Sequence, residues 1–392
     1  MVSVDLLHVL TVCVRGALAA QRYIALELLK VQSLEPQLPP LPIMDQDPET
    51  KKALLALLHQ AVTVNVKERL SNKKDNAAMD LVTTADVMTQ AVVEYVLRDA
   101  FPEMPFTIVG EEEVGTGTVK SLAEDSVEKY YNELTLVPYQ TELEAHAHRM
   151  GSQVTAATWK ELRERVGVFI DPIDGTNCFV EGLWEVPLTL VGLTLDGVPV
   201  AGVVNRVFGF SVTQMTSDIN NNGSSSTSLS YVWNFGSREP FIVHEGRRVV
   251  PVPNYNNILS AKSVLRVVGS STTESRCFTH VLEKLFPIEM HGARGAGNKL
   301  MFLIESMLAG SSCTQCCDVF ISPEDTIKKW DTCAPHAFIM ALGGELYTLR
   351  GDMVRYPLQG KDLARLSSGV LGVSHRSKLE VARRIKWTSS SL

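Results

Sequence analysis

The sequence predicts an α/β fold of the α+β kind, in which helices and an antiparallel sheet come first. Two apolar runs, Pro187–Leu195 and Val200–Val204, flank Asp196-Gly197, and this dipeptide is a strong hairpin signal. After residue 264, short β-branched runs alternate with helical ones, which is typical of α/β units. The 392 residues favour two domains, for which we predict residues 1–240 and 241–392.

The first half contains four helical patterns and several strand-like runs. Proline prevents helix formation at 35–48, so we predict a loop there. Apolar residues at helical spacing predict helices at Val4–Leu29, Thr50–Leu70, Val87–Leu97 and over most of 117–164. Apolar or alternating runs predict strands at Phe106–Val109, Val166–Ile170, Phe208–Val212 and Leu229–Phe235.

The second half of the sequence alternates between strand-like runs and runs with helical spacing. It predicts strands at Val264–Val268, Pro287–Met290, Asp318–Ile321 and Gly369–Val373. It predicts helices after the capping box at Ser271, after Lys299, around Pro335 and at Lys378–Ile385.

The composition is that of a soluble globular protein with a large core, since 45% of the residues are hydrophobic and 21% are charged. A net charge of −7 argues against binding to a nucleic acid polymer. Seven irregularly spaced cysteines indicate reduced thiols in a cytoplasmic compartment. No uncharged apolar stretch reaches the roughly 18 residues of a membrane span.

The motif Asp171-Pro-Ile-Asp-Gly-Thr176 directly follows the predicted buried strand Val166–Ile170. Two carboxylates about 4 Å apart repel each other by about 4 kcal/mol at an effective dielectric constant near 20. A cation between them relieves this cost, and oxygen ligands suit Mg²⁺, Mn²⁺ or Ca²⁺. Gly175 and Thr176 then offer a phosphate site at a helix start. The alternative is an Asp-Pro turn that caps a helix.

Acidic residues recur at other element boundaries. Asp86 precedes a predicted helix, where it caps the helix or holds a metal with Thr83 nearby to polarise water. Glu111 and Glu112 follow the strand Phe106–Val109, either as a solvated loop or as ligands. Asp331 is a third carboxylate before a helix, with capping as its alternative role. The recurrence of carboxylates at strand ends favours the metal interpretation.

Basic residues and glycines are clustered in the sequence just before the helix predicted after Lys299. Gly295-Ala-Gly297 at a helix start either cradles a phosphate or allows tight packing. Arg294 and Lys299 favour the phosphate, and Lys328 adds a further positive charge for a second phosphate.

In this order, Gly110-Glu-Glu112, Asp171-Pro-Ile-Asp-Gly-Thr176 and Trp330-Asp331 resemble motifs of the inositol monophosphatase family, whose members are Mg²⁺-dependent, lithium-sensitive phosphomonoesterases. The resemblance spans almost the whole chain. It implies a layered αβαβα fold with a mostly antiparallel first sheet and a mixed second sheet. The N-terminal domain would then carry most metal ligands, and the C-terminal domain would complete the substrate site.

The resemblance also implies roles for individual residues. It implies two or three Mg²⁺ ions, with Mn²⁺ as a substitute, held by Glu111, Asp171, the Ile173 carbonyl, Asp174, Asp331 and Asp86. The catalytic residues would be Thr83, Asp86, Glu112 and Thr176. The substrate would contact Gly175, Thr176, Ser270, Arg294, Gly295, Lys299, Ser322 and Lys328.

The implied activity is removal of the 1-phosphate from inositol polyphosphates such as inositol 1,4-bisphosphate. A second branch of the family leaves 3′-phosphoadenosine 5′-phosphate as the alternative substrate, and an inactive phosphate-sensing protein is the rival from another class. The expected partner is a small phosphorylated molecule, and the favoured state is a monomer. Ser390-Ser-Leu392 is a degenerate form of the peroxisomal Ser-Lys-Leu signal, which adds a peroxisome-like organelle to the expected cytoplasmic location.

Overall fold

The computed structural model describes residues 1–24, 64–69, 79–113, 130–131, 137–208, 228–235, 239–250, 264–271, 287–309 and 317–375. The predicted loop at 35–48, the helices after Ser271 and at Lys378–Ile385, and the C-terminal tripeptide lie outside these residues, as does most of the strand at Phe208–Val212.

The described chain contains the following helices: α1 (Leu6–Tyr23), α2 (Thr84–Ala100), α3 (Gln140–Met150), α4 (Trp159–Arg165), α5 (Thr176–Glu181), α6 (Ala296–Ala309) and α7 (Lys329–Ala341). None of these described helices has both the length and the apolar character that crossing a membrane requires.

Sixteen strands accompany them, in chain order: β1 (Val2–Asp5), β2 (Val64–Arg69), β3 (Met79–Thr83), β4 (Thr107–Gly110), β5 (Gln153–Ala156), β6 (Val166–Asp174), β7 (Leu188–Leu195), β8 (Val198–Arg206), β9 (Leu229–Trp233), β10 (Phe241–His244), β11 (Arg247–Val249), β12 (Leu265–Ser270), β13 (Ile288–Ala293), β14 (Val319–Ser322), β15 (Glu345–Thr348) and β16 (Val370–Val373).

The first sheet has seven strands in the order β11-β10-β9-β8-β7-β6-β4. Only β4 and β6 run parallel, so the sheet is mostly antiparallel, as predicted. Its central hairpin turns at Asp196 and Gly197, which both have positive φ, at 51° and 75°. Positive φ at both central residues is the type I′ geometry that suits the twist of a hairpin.

The second sheet has five strands in the order β13-β12-β14-β16-β15. The strand β12 pairs in parallel with β13 and β14, whereas β16 pairs antiparallel with β14 and β15. The sheet is therefore mixed, which confirms the implied fold class.

Three apolar clusters show how the layers stack. The first packs α1 and α2 on one face of the first sheet. The second fills the space between the two sheets with side chains of α6 and α7. The third lies on the outer face of the second sheet. Because the second cluster draws on both halves of the chain, the site residues of each half are held in one continuous core.

The division into two domains near residue 240 stays a prediction. The strands β10 and β11 follow that position and pair with the first sheet.

Two predicted helices are partly wrong. The C-terminal end of the predicted helix at Thr50–Leu70 forms β2, which pairs antiparallel with β3. Within 117–164, residues 153–156 form β5, which pairs with β1 at the chain's start. The strands β1 and β5 belong to distant parts of the chain, and nine residues instead of a tight turn separate β2 from β3, so neither pairing leaves a tight-turn signal in the sequence.

The helix α7 approaches the first sheet unusually closely. Gly192 and Gly202 face each other on β7 and β8. A Cβ on Gly192 would lie 2.4 Å from Cys333 Sγ, and one on Gly202 would lie 2.7 Å from the Ala334 carbonyl oxygen. The two glycines therefore set the depth at which α7, and with it Asp331, is seated.

We expect Gly192→Ala to lower the free energy of unfolding by about 1–3 kcal/mol, because α7 has to move away from the sheet. Chemical denaturation followed by circular dichroism measures the change. The matched control is Gly16→Ala on α1. The nearest atom to the added Cβ would be Val96 Cγ2 at 3.0 Å, and the next would be 3.5 Å away. Higher helix propensity offsets that tight contact, so the control should change stability by less than about 1 kcal/mol. Equal stability of the wild type and Gly192→Ala would contradict the prediction.

Candidate active site

The aspartates of the central motif lie at the end of β6, where its pairing with β7 is interrupted. Asp171 pairs with Leu190 and Asp174 pairs with Leu188, so one extra residue is accommodated on β6. Pro172 has no N–H to continue the ladder. The Thr189 hydroxyl, 2.9 Å away, donates to the Pro172 carbonyl and stabilises the bulge. Such a bulge redirects side chains, and here it brings both aspartates to one side.

Asp171, Asp174 and Asp331 form the centre of the site. One carboxylate oxygen of each lies within 4.8 Å of the others. Asp171 and Asp174 are only 1% and 4% exposed. Asp171 Oδ1 is fully buried and has no hydrogen-bond partner among the described residues. A buried acceptor without a donor costs about 1–3 kcal/mol unless something else satisfies it.

The electrostatics of this cluster are unfavourable when it is fully ionised. Burial raises the pKa of Asp171 well above its ordinary value, and the negative charges of Glu111, Asp331 and Asp174 raise it further. Burial, followed by repulsion from Asp174 and Glu111, raises the pKa of Asp331 to about 7. These are the shifts expected where like charges share a desolvated space without a cation.

Asp174 is held by the start of α6. It accepts hydrogen bonds from the backbone N–H groups of Ala296, Gly297 and Asn298 at 3.0, 2.9 and 3.3 Å. Burial raises its pKa to about 6, against the lowering effect of these bonds. The sequence left two roles for this glycine turn, a phosphate cradle and tight packing. Three of its N–H groups are engaged by Asp174, and contact of the turn with a substrate phosphate stays a prediction. The N–H groups are directed at Asp174, because the turn comes from the other half of the chain and packs directly on it.

Asp331 lies in the first turn of α7. Its Oδ2 accepts a hydrogen bond from the backbone N–H of Lys328, so it also caps the helix. Both interpretations of Asp331 are therefore compatible, since the side chain caps the helix and also comes within 4.8 Å of the other two carboxylates, and a carboxylate has two oxygens that can each accept more than one partner.

A second group links α2 to the motif. Thr83 and Asp86 form a capping box, in which the Thr83 N–H donates to Asp86 Oδ2 at 2.8 Å. The Thr176 hydroxyl lies 2.9 Å from Asp86 Oδ1 and 3.0 Å from the Ile173 carbonyl oxygen. Burial, followed by repulsion from Glu111, raises the pKa of Asp86 to about 7 against the hydrogen bonds of Thr83. The structure thus brings four predicted residues together.

Glu111 and Glu112 follow β4, which lies beside β6. The Glu111 N–H donates to the Ile170 carbonyl at 3.1 Å, so Glu111 extends the pairing next to Asp171. Its charge raises the pKa values of Asp86, Asp171 and Asp331, which places it at the cluster. The backbone of Glu112 is bonded to Gln90 of α2, a residue that the sequence analysis missed.

The basic residues surround this centre in different ways. Arg294 forms a bidentate ion pair with Glu181, at 2.9 Å from Nη2 to Oε1. A substrate phosphate would have to compete with Glu181, which sequence reasoning also missed. Lys299 is 8% exposed and its charge lowers the pKa of Asp174, so it lies close behind that carboxylate.

The other predicted substrate contacts are distributed around the site. A Cβ on Gly175 would lie 3.9 Å from the Gly295 Cα, so these two loops are adjacent. Lys328 precedes α7. Ser270 ends β12, and Ser322 ends β14 with its hydroxyl 2.9 Å from Thr326 Oγ1. Their contacts with substrate stay predictions.

The donor set fits a hard divalent cation. Three converging carboxylates, one of them with an unpartnered oxygen, are the oxygen ligands that Mg²⁺ or Mn²⁺ prefers. A second group of His244, Glu245 and Glu305 also comes within 4.8 Å, but there Arg206 lies 2.6 Å from Glu305 and supplies the positive charge.

Comparison with known proteins gives a consistent result. The sequence profile of the Inositol monophosphatase family matches residues 43–388. The inositol polyphosphate 1-phosphatase of Homo sapiens is 27% identical over 339 residues, which cover 79% of this chain and 81% of that protein. The 3′(2′),5′-bisphosphate nucleotidase 1 of Rattus norvegicus is also 27% identical, and the match covers 81% of this chain and 86% of that protein.

A solved structure of the extragenic suppressor protein suhB from Bartonella henselae covers 96% of this chain and 97% of its own, at 15% identity and a TM-score of 0.49. The profile match spans most of the chain and includes every residue of the carboxylate cluster. This chain therefore belongs to the inositol monophosphatase family of phosphatases.

Proposed function

We propose that this protein is a Mg²⁺-dependent phosphomonoesterase that removes the 1-phosphate from inositol polyphosphates such as inositol 1,4-bisphosphate. The observation that carries the proposal is the buried cluster of Asp171, Asp174 and Asp331, in which Asp171 Oδ1 lacks a hydrogen-bond partner among the described residues. Glu111, Asp86 and the Ile173 carbonyl complete the proposed ligand set. We propose two or three ions, with Mn²⁺ as a substitute and a monomer as the working unit.

The bound cations would polarise the phosphate, lower the pKa of a water and neutralise the leaving oxygen. The chain's own part is to hold that water and orient it. The Thr176 hydroxyl has one hydrogen, which it donates to Asp86 or to the Ile173 carbonyl, so its lone pairs are left to accept from a water. Thr83 holds Asp86 in the orientation that this requires. Glu112 is the proposed acceptor of the water's proton.

The substrate proposal depends on the surface around this centre. A nucleotide needs a face for adenine, usually an aromatic one. Trp330 is the aromatic residue nearest in sequence to Asp331, and it is partly buried and packs against the cluster between the sheets. Lys328 and Arg294 suit a small, highly anionic ring, although Arg294 has to exchange Glu181 for a phosphate.

The second candidate is a 3′(2′),5′-bisphosphate nucleotidase that acts on 3′-phosphoadenosine 5′-phosphate. What favours it is the equal identity of the relatives from both branches, 27% in each case. Mg²⁺-dependent release of phosphate from either substrate would distinguish an enzyme from an inactive phosphate-binding protein.

We expect Asp171→Asn to reduce kcat by about 100-fold or more, because a neutral amide in place of the central carboxylate removes a full negative charge from the cation site. Phosphate release in saturating Mg²⁺ measures it. The matched control is Asp325→Asn, which removes an exposed carboxylate paired with Arg365 and should keep full activity. A turnover of the Asp171 variant near that of the wild type would refute the assignment.

The rise in Tm that Mg²⁺ produces should become larger as the pH increases from about 5.5 to about 8. Asp86, Asp174 and Asp331 have pKa values of about 7, 6 and 7 without a cation, against a usual 3.8. The native state then binds more protons than the unfolded state, so this contribution to stability is present below the unfolded pKa and is lost as pH rises through the folded values. A cation binds the ionised carboxylates, so its binding stabilises the native state at the pH at which the protonated carboxylates no longer do.

Thermal unfolding in EDTA and in saturating Mg²⁺ at each pH measures this difference, with potassium chloride at equal ionic strength as the control. A Mg²⁺-induced shift in Tm that stays constant or falls as the pH rises would contradict the carboxylate assignment.

We expect kcat/KM for inositol 1,4-bisphosphate to exceed that for 3′-phosphoadenosine 5′-phosphate. The reasons are Lys328 and Arg294, which suit a small, highly anionic ring, and the packing of Trp330 against the cluster between the sheets. Side-by-side phosphate release with product analysis at the 1-position decides it. A nucleotide value more than about tenfold higher would establish the nucleotidase alternative.

A further inference from the structure

We propose that Gln90 is a positioning residue that holds Glu111 and Glu112 at the carboxylate cluster through the backbone of Glu112. This inference rests on the proposed function, because it takes Glu111 as a ligand of the divalent cation. Gln90 lies on α2, one helical turn after Asp86, and is 1% exposed.

The side-chain amide of Gln90 engages both backbone groups of Glu112. The Glu112 N–H donates to Gln90 Oε1 at 2.8 Å, and Gln90 Nε2 donates to the Glu112 carbonyl. The remaining hydrogen of Nε2 points to Glu94 Oε1 at 3.0 Å. The amide therefore has both donors in use, and its orientation is determined by three partners.

The packing around Gly110 shows how closely the segment is held. A Cβ added to Gly110 would lie 2.2 Å from Gln90 Nε2, and its three nearest atoms all belong to the Gln90 amide. On the other side, the Glu111 N–H is bonded to the Ile170 carbonyl of β6 at 3.1 Å. Glu111 is thus fixed between β6 and α2.

One helix consequently sets the relative position of two acidic groups. Asp86 sits in the first turn of α2, and Gln90 in the next turn holds the segment that carries Glu111. The choice of an amide has a physical reason. A carboxylate at position 90 would place negative oxygens against the Glu112 carbonyl oxygen and the Glu94 carboxylate. An apolar side chain there would leave the N–H and the carbonyl of Glu112 unpaired.

The test compares Gln90→Met with Gln21→Met. Gln21 is 3% exposed, and its Nε2 donates to the carbonyls of Arg206 and Val207 at 2.7 and 3.1 Å, away from the cluster. Both variants thus lose a buried amide that bonds backbone groups. Mn²⁺ affinity is measured by electron paramagnetic resonance without substrate, and Tm and the Mg²⁺ dependence of kcat are measured alongside.

We expect Gln90→Met to weaken Mn²⁺ binding by about tenfold, with most of kcat recovered at high Mg²⁺. Gln21→Met should lower Tm to a similar extent and leave the affinity unchanged. If wild type binds Mn²⁺ and Gln90→Met binds it equally well, the positioning role is overturned and the proposed function stands. If wild type binds no Mn²⁺, the proposed function fails and the inference fails with it.

A second comparison remains informative if Gln90→Met does not fold. Gly110→Ala keeps Gln90 but displaces its amide, so it should weaken Mn²⁺ binding as well. In a Gln90→Ala background the space is vacant, and Gly110→Ala should then have little further effect on Mn²⁺ affinity. Additive losses of affinity from the two substitutions would overturn the coupling between Gln90 and the segment.

Discussion

The repulsion among buried carboxylates is the constraint on which the rest of this structure depends. Asp171, Asp174 and Asp331 come within 4.8 Å of one another, and the charge of Glu111 acts on two of them. At an effective dielectric constant near 20, each close pair costs about 4 kcal/mol when both partners are ionised. A fold that only had to be stable would not assemble such a group, so the cost indicates a site that a cation completes.

The surrounding structure reduces this cost without adding a full opposite charge at the centre. The start of α6 directs three N–H groups at Asp174, and the partial positive charge of a helix N-terminus favours an anion there. The starts of α2 and α7 do the same for Asp86 and Asp331. Because backbone dipoles only partly compensate the charges, the cluster keeps the negative charge that the proposed divalent cation would neutralise.

The same arrangement explains why the site lies where the two sheets meet. The strands β4 and β6 bring Glu111 and Asp171 from the first sheet, whereas α6 and α7 come from the second half of the chain. The depth at which α7 is seated depends on Gly192 and Gly202, since a side chain at either position would displace it. The packing of Cys333 and Ala334 on these glycines thus positions Asp331, and the interior transmits a small displacement because it is densely packed.

Local sequence determined most of the elements and the carboxylates of the central cluster. The acidic turn at Asp171-Pro-Ile-Asp174 could be predicted because proline, acidic residues and a preceding apolar run act within a few residues of one another, whereas the bulge that keeps these residues within β6 shows only in the pairing with β7. The pairing of β1 with β5 could not be predicted because it joins distant segments, and that of β2 with β3 could not because nine residues, and not a tight turn, separate them.

Only the tertiary structure decided what each polar group faces. The N–H groups of residues 296–298 donate to Asp174, Arg294 is paired with Glu181, and Gln90 holds Glu112. In each case the two partners are more than 20 residues apart. Hydrogen bonds and ion pairs are short-ranged, so their partners are chosen by the packing that brings distant segments together.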